Sequence, residues 1–430
     1  MAVSARFVIL AAAGTPAVFL WPRALTIWLW VLVLGAAAAV DLLLAVSPRV
    51  LALTRDPLER VRLGGQARAG LVVRNPASRT LHAVLRDGWQ PSAGARNPVH
   101  RLTVPAGEAR RAATLLVPER RGDLRAATVT VRSFGPLGLA ARQRALPVPG
   151  LLRVLPPFAS RRHLPSRLRR LRELDGNATV QLRGAGTEFD SLRDYVRGDD
   201  VRSIDWRATA RRRDTVVRTW RPERDRRVVI VLDTSRTAAA RIQDEPRLDT
   251  GIEAALLLGA LAGGAGDRVD LLAFDRRTRA RVDSAAKGNL LNRMVEALAP
   301  VEPELIEADF SLLPSAVHGI SPRRALVVLL TTLDSGAVED GLLPFLPQLL
   351  ERHLVVVASV RDPELDAMRA RRGTAAEAYR AAAAERALLD RASVTAQLRS
   401  MGVEVVDETP QELPPKLADM YIQLKAAGRL

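Results

Sequence analysis

The chain has 430 residues, too many for one ordinary hydrophobic core, so two or three folded units are expected. Its net charge of +17 comes almost wholly from arginine, because the only lysines are Lys287, Lys416 and Lys425. With no cysteine, disulfides, zinc thiolate sites and cysteine nucleophiles are all excluded.

The charge suits solvated faces, anionic lipid or an acidic partner surface better than nucleic acid, whose binding modules interleave aromatics with basic residues. Aromatics here are few and scattered. The histidines, His82, His100, His163, His318 and His353, have no close metal-ligand spacing and read as surface or packing residues.

Two hydrophobic stretches open the chain, residues 7–21 and 24–46, with only Pro22 and Arg23 between them. The second is long enough to cross a bilayer, which takes about 20 apolar residues. The expectation is a transmembrane hairpin over residues 1–48; a cleaved signal peptide competes for the first stretch, but the second would still anchor the protein. Arg49, Arg55, Arg60 and Arg62 crowd the exit of the second span, whereas Arg23 alone marks the tip. Both ends, and the soluble domains, are therefore expected in the cytoplasm. Asp41, close to the end of the second span, is expected to reach the interface and is given no role.

Residues 49–156 carry short alternating runs such as ARAGLVVRN and AATVTVRSF, punctuated by glycine, proline and asparagine. The pattern predicts a small β-sandwich-like domain, with a turn at Phe134, Pro136, Leu137 and Gly138. A basic linker, residues 157–183, turns helical after Pro165 and lies open to anionic lipid. From residue 227 to 430, apolar strands (228–233, 269–274, 325–330, 354–360, 403–406) alternate with helical segments (248–262, 290–298, 342–351, 375–400, 411–427). The fold class is multidomain α/β, ending in a doubly wound, mostly parallel sheet whose ligands sit at the carboxyl ends of the strands.

The first of those strands ends VVIVLDTSRT, placing Asp233, Ser235 and Thr237 in one loop at that edge. Such hard oxygens can hold Mg²⁺ or Mn²⁺. Alternatively Asp233 simply caps a helix. With the αβ order that follows, the loop resembles the metal-ion-dependent adhesion site of a von Willebrand factor A domain. In that family a Thr-Asp pair follows the fourth strand; here Thr331 matches the threonine, but Thr332 stands where the aspartate would be, with Asp334 two residues on. Asp309 lies near the place of the later-loop ligand. The adhesion site thus reads as degenerate.

Just before this domain, residues 184–226 contain GTEFDSLRDYVRGDDVRSIDW, then RATARRRDTVVRTWRPERDRR. The ordered set Gly186, Glu188, Phe189, Leu192, Arg193, Tyr195, Gly198, Asp199, Asp200, Arg202, Ile204, Asp205, Trp206, Ala210, Arg211, Glu223 and Arg224 resembles the signature of the bacterial domain-of-unknown-function family 58. The resemblance implies a membrane-anchored protein with a von Willebrand factor A-like domain, partnered by a MoxR-type AAA+ ATPase. From the residues alone, the mixed charges read as ion pairs and capped turns fastening the segment to the α/β domain, with Tyr195 and Trp206 as buried anchors. The competing reading makes Asp199, Asp200 and Asp205 a metal-dependent hydrolytic cluster. No nucleophile with an adjacent base, phosphate-cradling loop or HExxH helix accompanies them, so a non-enzymatic binding or adaptor protein is expected, with catalytic residues and organic cofactors assigned to none. A scaffold for lipid or cell-envelope machinery is the third reading.

Overall fold

The computed structural model describes residues 2–181, 188–196, 199–212, 214–221, 226–286 and 288–430. The chain divides into two compact units, Met1–Pro157 and Phe158–Leu430.

In the first unit, helix α1 (Ala24–Leu44) is apolar on every side apart from Thr26 and Asp41 and has no interior proline, so no ring interrupts its hydrogen-bond ladder. At 21 residues it is about 31 Å long, enough to cross a bilayer core. The stretch expected to form the other leg is two short helices, Ala5–Ala13 and Thr15–Leu20. The chain breaks at Gly14, where a Cβ would fall 2.0 Å from the Trp30 ring nitrogen. Pro16 then sits in the first turn of the second piece, the one part of a helix that tolerates its missing N–H.

Asp41 departs from expectation. It is fully buried, and its carboxylate accepts four backbone N–H groups, from Leu137 (2.8 Å), Gly138 (3.3 Å), Leu139 (2.7 Å) and Ala140 (2.9 Å). These belong to the predicted turn after Phe134. Gly135 is required there, since a Cβ would stand 2.1 Å from the Asp41 carbonyl oxygen. Arg142 donates to the Leu42 carbonyl at 2.8 Å, so the last turn of α1 is tied to the strand after this turn.

Beyond α1 lie strands β1 (Ala52–Arg55), β2 (Ala67–Arg74), β3 (Leu81–Trp89), β4 (Val99–Val104), β5 (Ala109–Leu116), β6 (Gly122–Phe134) and β7 (Ala140–Leu155). One sheet runs β7-β6-β3-β4, the other β1-β2-β5, with antiparallel pairing along both paths. Alternate residues point inward: Leu71 and Val73 of one sheet share a core with Leu81, Leu85, Val129 and Val131 of the other, and Val46 joins it from the end of α1. Buried Asp87 on β3 pins the sheets by accepting from Arg55 (2.6 and 3.1 Å), Thr114 (3.0 Å) and Trp89 (3.0 Å).

The second unit begins with α2 (Leu164–Gln181), then the antiparallel pair β8 (Glu188–Asp194) and β9 (Val216–Arg221). The large sheet follows: β10 (Arg227–Asp233), α3 (Arg247–Gly264), β11 (Arg268–Phe274), β12 (Thr278–Val282), α4 (Leu290–Leu298), α5 (Leu313–Ile320), β13 (Leu326–Leu330), α6 (Leu346–Leu350), β14 (Leu354–Val360), α7 (Ala375–Ser400), β15 (Glu404–Glu408) and α8 (Leu413–Ala426). The order is β12-β11-β10-β13-β14-β15, parallel except at the β12 edge. That edge strand, TRARV, is too charged to stand out as a strand in the sequence.

The two-residue period of β10 divides its side chains between helix layers. Val229 and Val231 pack with Phe310, Val317, Leu346, Val394 and Leu398. On the opposite face a Cβ at Gly251 of α3 would come within 2.9 Å of Leu232. At the amino end of the sheet, α8 is fastened by a buried trio in which Lys425 Nζ donates to Asp267 at 3.1 Å and Tyr421 donates to the same carboxylate.

Candidate functional site

Strand β10 is buried over six consecutive residues and delivers Asp233 to the carboxyl edge of the sheet. There the backbone turns on its own side chain: Asp233 Oδ1 accepts the Ser235 N–H at 2.8 Å. Asp233 Oδ2 accepts the Thr331 hydroxyl at 2.7 Å, from the end of β13, and the Thr237 hydroxyl at 3.3 Å. Ser235 Oγ and Thr237 Oγ1 are 3.1 Å apart. Ser235 and Thr237 from the same loop, and Thr331 from 98 residues away, therefore converge on the Asp233 carboxylate. Burial pushes the Asp233 carboxyl above its usual range; the hydrogen bonds from Ser235, Thr331 and Thr237 pull it back only in part.

Thr332 and Asp334 do not join this group. Thr332 Oγ1 accepts from Arg247 Nη1 at 3.0 Å, and the same nitrogen donates to the Thr237 carbonyl at 3.3 Å. Asp334 stands at the half-exposed rim, 3.5 Å from Arg247 and 3.8 Å from Arg391. Arg391 is occupied mainly by Asp407 and by Ser359 at 2.8 Å. Arg247, which no sequence pattern singles out, lines the same cavity as Asp233, Thr237, Thr331 and Thr332, a space of about 20 Å³, roughly one water. Asp309 is used as a cap, accepting the Ser311 N–H at 3.1 Å.

The donor set suits a divalent ion poorly. It offers one carboxylate and three hydroxyls, and a guanidinium shares the cavity. At a separation of about 5 Å and an effective dielectric near 20, a doubly charged ion and a guanidinium repel by roughly 7 kcal/mol. Among the described residues, no three His, Cys, Asp or Glu side chains gather at a possible ion site.

In the signature segment Asp199, Asp200 and Asp205 each have a separate structural task. Asp199 takes a two-pronged contact from Arg193 (2.8 and 2.5 Å) and the Val196 N–H (2.9 Å). Asp200 caps the turn at Arg202 (3.0 Å). Asp205 caps the helix Trp206–Arg212 through the Arg207 and Ala208 N–H groups, each at 3.0 Å, and accepts from Arg218 at 2.9 Å. The Arg193 contact holds Asp199 below the usual carboxylate range, and the Ala208 N–H and Arg218 do the same for Asp205. Ionised caps are counterions, not proton donors. Among the described residues, these contacts of Asp199, Asp200 and Asp205 lie within the segment. Trp206 is not a buried anchor: it is 67% exposed, because the short helix it opens turns that face outward. Tyr195 is half-buried and Arg211 exposed. Glu188 and Phe189 lie on β8, paired with β9. Gly186, Gly198, Glu223 and Arg224 fall outside the described residues.

Comparison with known families adds one decisive observation. Residues 191–373 match the family described as "Protein of unknown function DUF58". The DUF58 match starts in β8, takes in the signature segment from Ser191 onward and the Asp233 edge, and stops just before α7. Uncharacterized proteins of Mycobacterium tuberculosis and Mycobacterium bovis are each 27% identical over 192 residues, 44% of this chain. The matched stretch spans 60% of those relatives' own length. Among solved structures, a PapD-like domain of human CEP192 covers 24% of this chain and 84% of its own at 11% identity and a TM-score of 0.20. The CARDB domain of a Pyrococcus furiosus protein covers 26% and 91% at 10% identity and a TM-score of 0.18.

Proposed function

We propose that this DUF58-region protein is a membrane-anchored, von Willebrand factor A-like binding or adaptor protein, held in a bacterial plasma membrane by two apolar segments with its soluble parts in the cytoplasm. Its partner is a MoxR-type AAA+ ATPase, and its work lies in chaperone-like or cell-envelope assembly. One observation carries this reading: Asp233, Ser235, Thr237 and Thr331 converge at the carboxyl edge of a parallel sheet, the place where such sheets bind ligands. The arrangement is ordered by hydrogen bonds and suits recognition.

The hydrolase reading has less support. Asp199, Asp200 and Asp205 are each consumed by a cap or a guanidinium, and none faces another as an acid and base pair would. The third reading, a lipid or envelope scaffold, keeps the arginines of α2 as its only basis.

Asp233→Ala removes the acceptor that three groups share, so the loop and the end of β13 lose their common register. Capture of the ATPase by affinity-tagged full-length protein in detergent is expected to fall about tenfold or more. Equal co-purification with the wild type and Asp233→Ala, at equal thermal stability, would remove this edge from the proposal.

A further inference from the structure

We infer that the carboxyl edge takes a carboxylate of its partner directly on Arg247, with no divalent cation between them. This deepens the proposal above and rests on that edge being the contact surface. Arg247 is the first residue of α3 and is held in place from two sides, by the Thr237 carbonyl and the Thr332 hydroxyl. Both of these contacts, and the one to Asp334, use Nη1; Nε is buried without a partner, so the chain's own acceptors leave the guanidinium's donors incompletely used. A cation-bridged site needs a second carboxylate near Asp233; the chain has Thr332 there, and uses it to seat the guanidinium.

Asp334 displays the ligand chemistry within the chain itself. Its carboxylate is 51% exposed and lies between Arg247 at 3.5 Å and Arg391 at 3.8 Å, too far for tight hydrogen bonds to either. It acts as a loosely held stand-in that a better-placed glutamate or aspartate from a partner displaces. Arg391 is already committed to Asp407, so Arg247 is the cation left to engage the newcomer. Asp233, buried and fully engaged by its own loops, positions the threonines and does not touch the ligand.

The test uses the full chain in detergent. Calorimetry with Mn²⁺ is expected to give no saturable heat for the wild type or for Thr332→Asp alone, where Arg247 neutralises the new carboxylate. Arg247→Ser/Thr332→Asp, which removes the guanidinium and supplies the carboxylate, is expected to gain Mn²⁺ binding. Glutarate at about 10 mM, as the carboxylate probe, is expected to raise the unfolding temperature of the wild type and not of Arg247→Gln. Asp334→Asn, which leaves Arg247 untouched, is expected to lower the glutarate midpoint by about fivefold, and carries the test should Arg247→Gln fail to fold. Saturable Mn²⁺ binding by the wild type overturns the inference. So does a glutarate response that is absent, that survives in Arg247→Gln, or that is unchanged in Asp334→Asn. None of these readings involves the ATPase, so a failed capture experiment with Asp233→Ala is told apart from them.

Discussion

Asp233 is both the organiser of its loop and a buried charge. Its three donors, Ser235, Thr237 and Thr331, favour the ionised form, yet desolvation outweighs them and the carboxyl stays above its usual range. In the unfolded chain the group loses its proton near pH 4, whereas the folded protein holds it to higher pH, so ionisation costs stability as pH rises through that window. Asp233→Asn keeps an acceptor for the Ser235 N–H and carries no charge. Relative to Asp233→Asn, the wild type should lose stability as pH rises from about 4 toward neutrality. Urea midpoints of both proteins at a series of pH values check this; parallel profiles would mean that the carboxylate is solvated better than its burial indicates.

At the scale of elements, the joint between α1 and the β-sandwich depends on a single side chain. Asp41 accepts four consecutive N–H groups, from Leu137 to Ala140, where β6 turns into β7; of these the Gly138 N–H also donates to the Gly135 carbonyl at 3.1 Å. Asp41→Ala leaves the buried Leu139 and Ala140 N–H groups without this acceptor, at a cost of about 2–4 kcal/mol. The expected outcome is a lower unfolding temperature for the full chain, with loss of hydrogen-exchange protection at Leu137 to Ala140. Full protection of those amides in Asp41→Ala would show that the turn is held by its own glycines. The signature segment behaves in the opposite way. Its many charges look like a reactive cluster in sequence, but they resolve into local caps because aspartates two or three residues from backbone N–H groups reach those first.

Across the whole molecule, the arginines after the second apolar stretch favour the proposed cytoplasmic placement of the soluble parts. The absence of cysteine makes this easy to check, since any introduced thiol is the only one. Ala427→Cys, exposed just past the end of α8, should react with a membrane-impermeant maleimide only after cells are permeabilised. Labelling in intact cells would reverse the proposed orientation.

By itself, the sequence determined the alternation of apolar strands and helices from residue 227 onward and the presence of an apolar segment long enough to span a bilayer. Both are written in local periodicity, which one stretch of chain carries alone. It also located Asp233, Ser235 and Thr237, because a strand end followed by closely spaced oxygens is a contiguous pattern. Tertiary structure alone decided what those residues meet. Thr331 lies 98 residues from Asp233, and Arg247 lies 85 from Thr332. Asp41 reaches its turn across nearly a hundred residues as well. No local spacing encodes such pairs, for they exist only once a parallel sheet has set two strand ends side by side, or a β-turn has folded back over a helix end. The arginine at the carboxyl edge is the plainest case: in sequence it is one of many, and in the fold it is the cation that shares a cavity with Asp233.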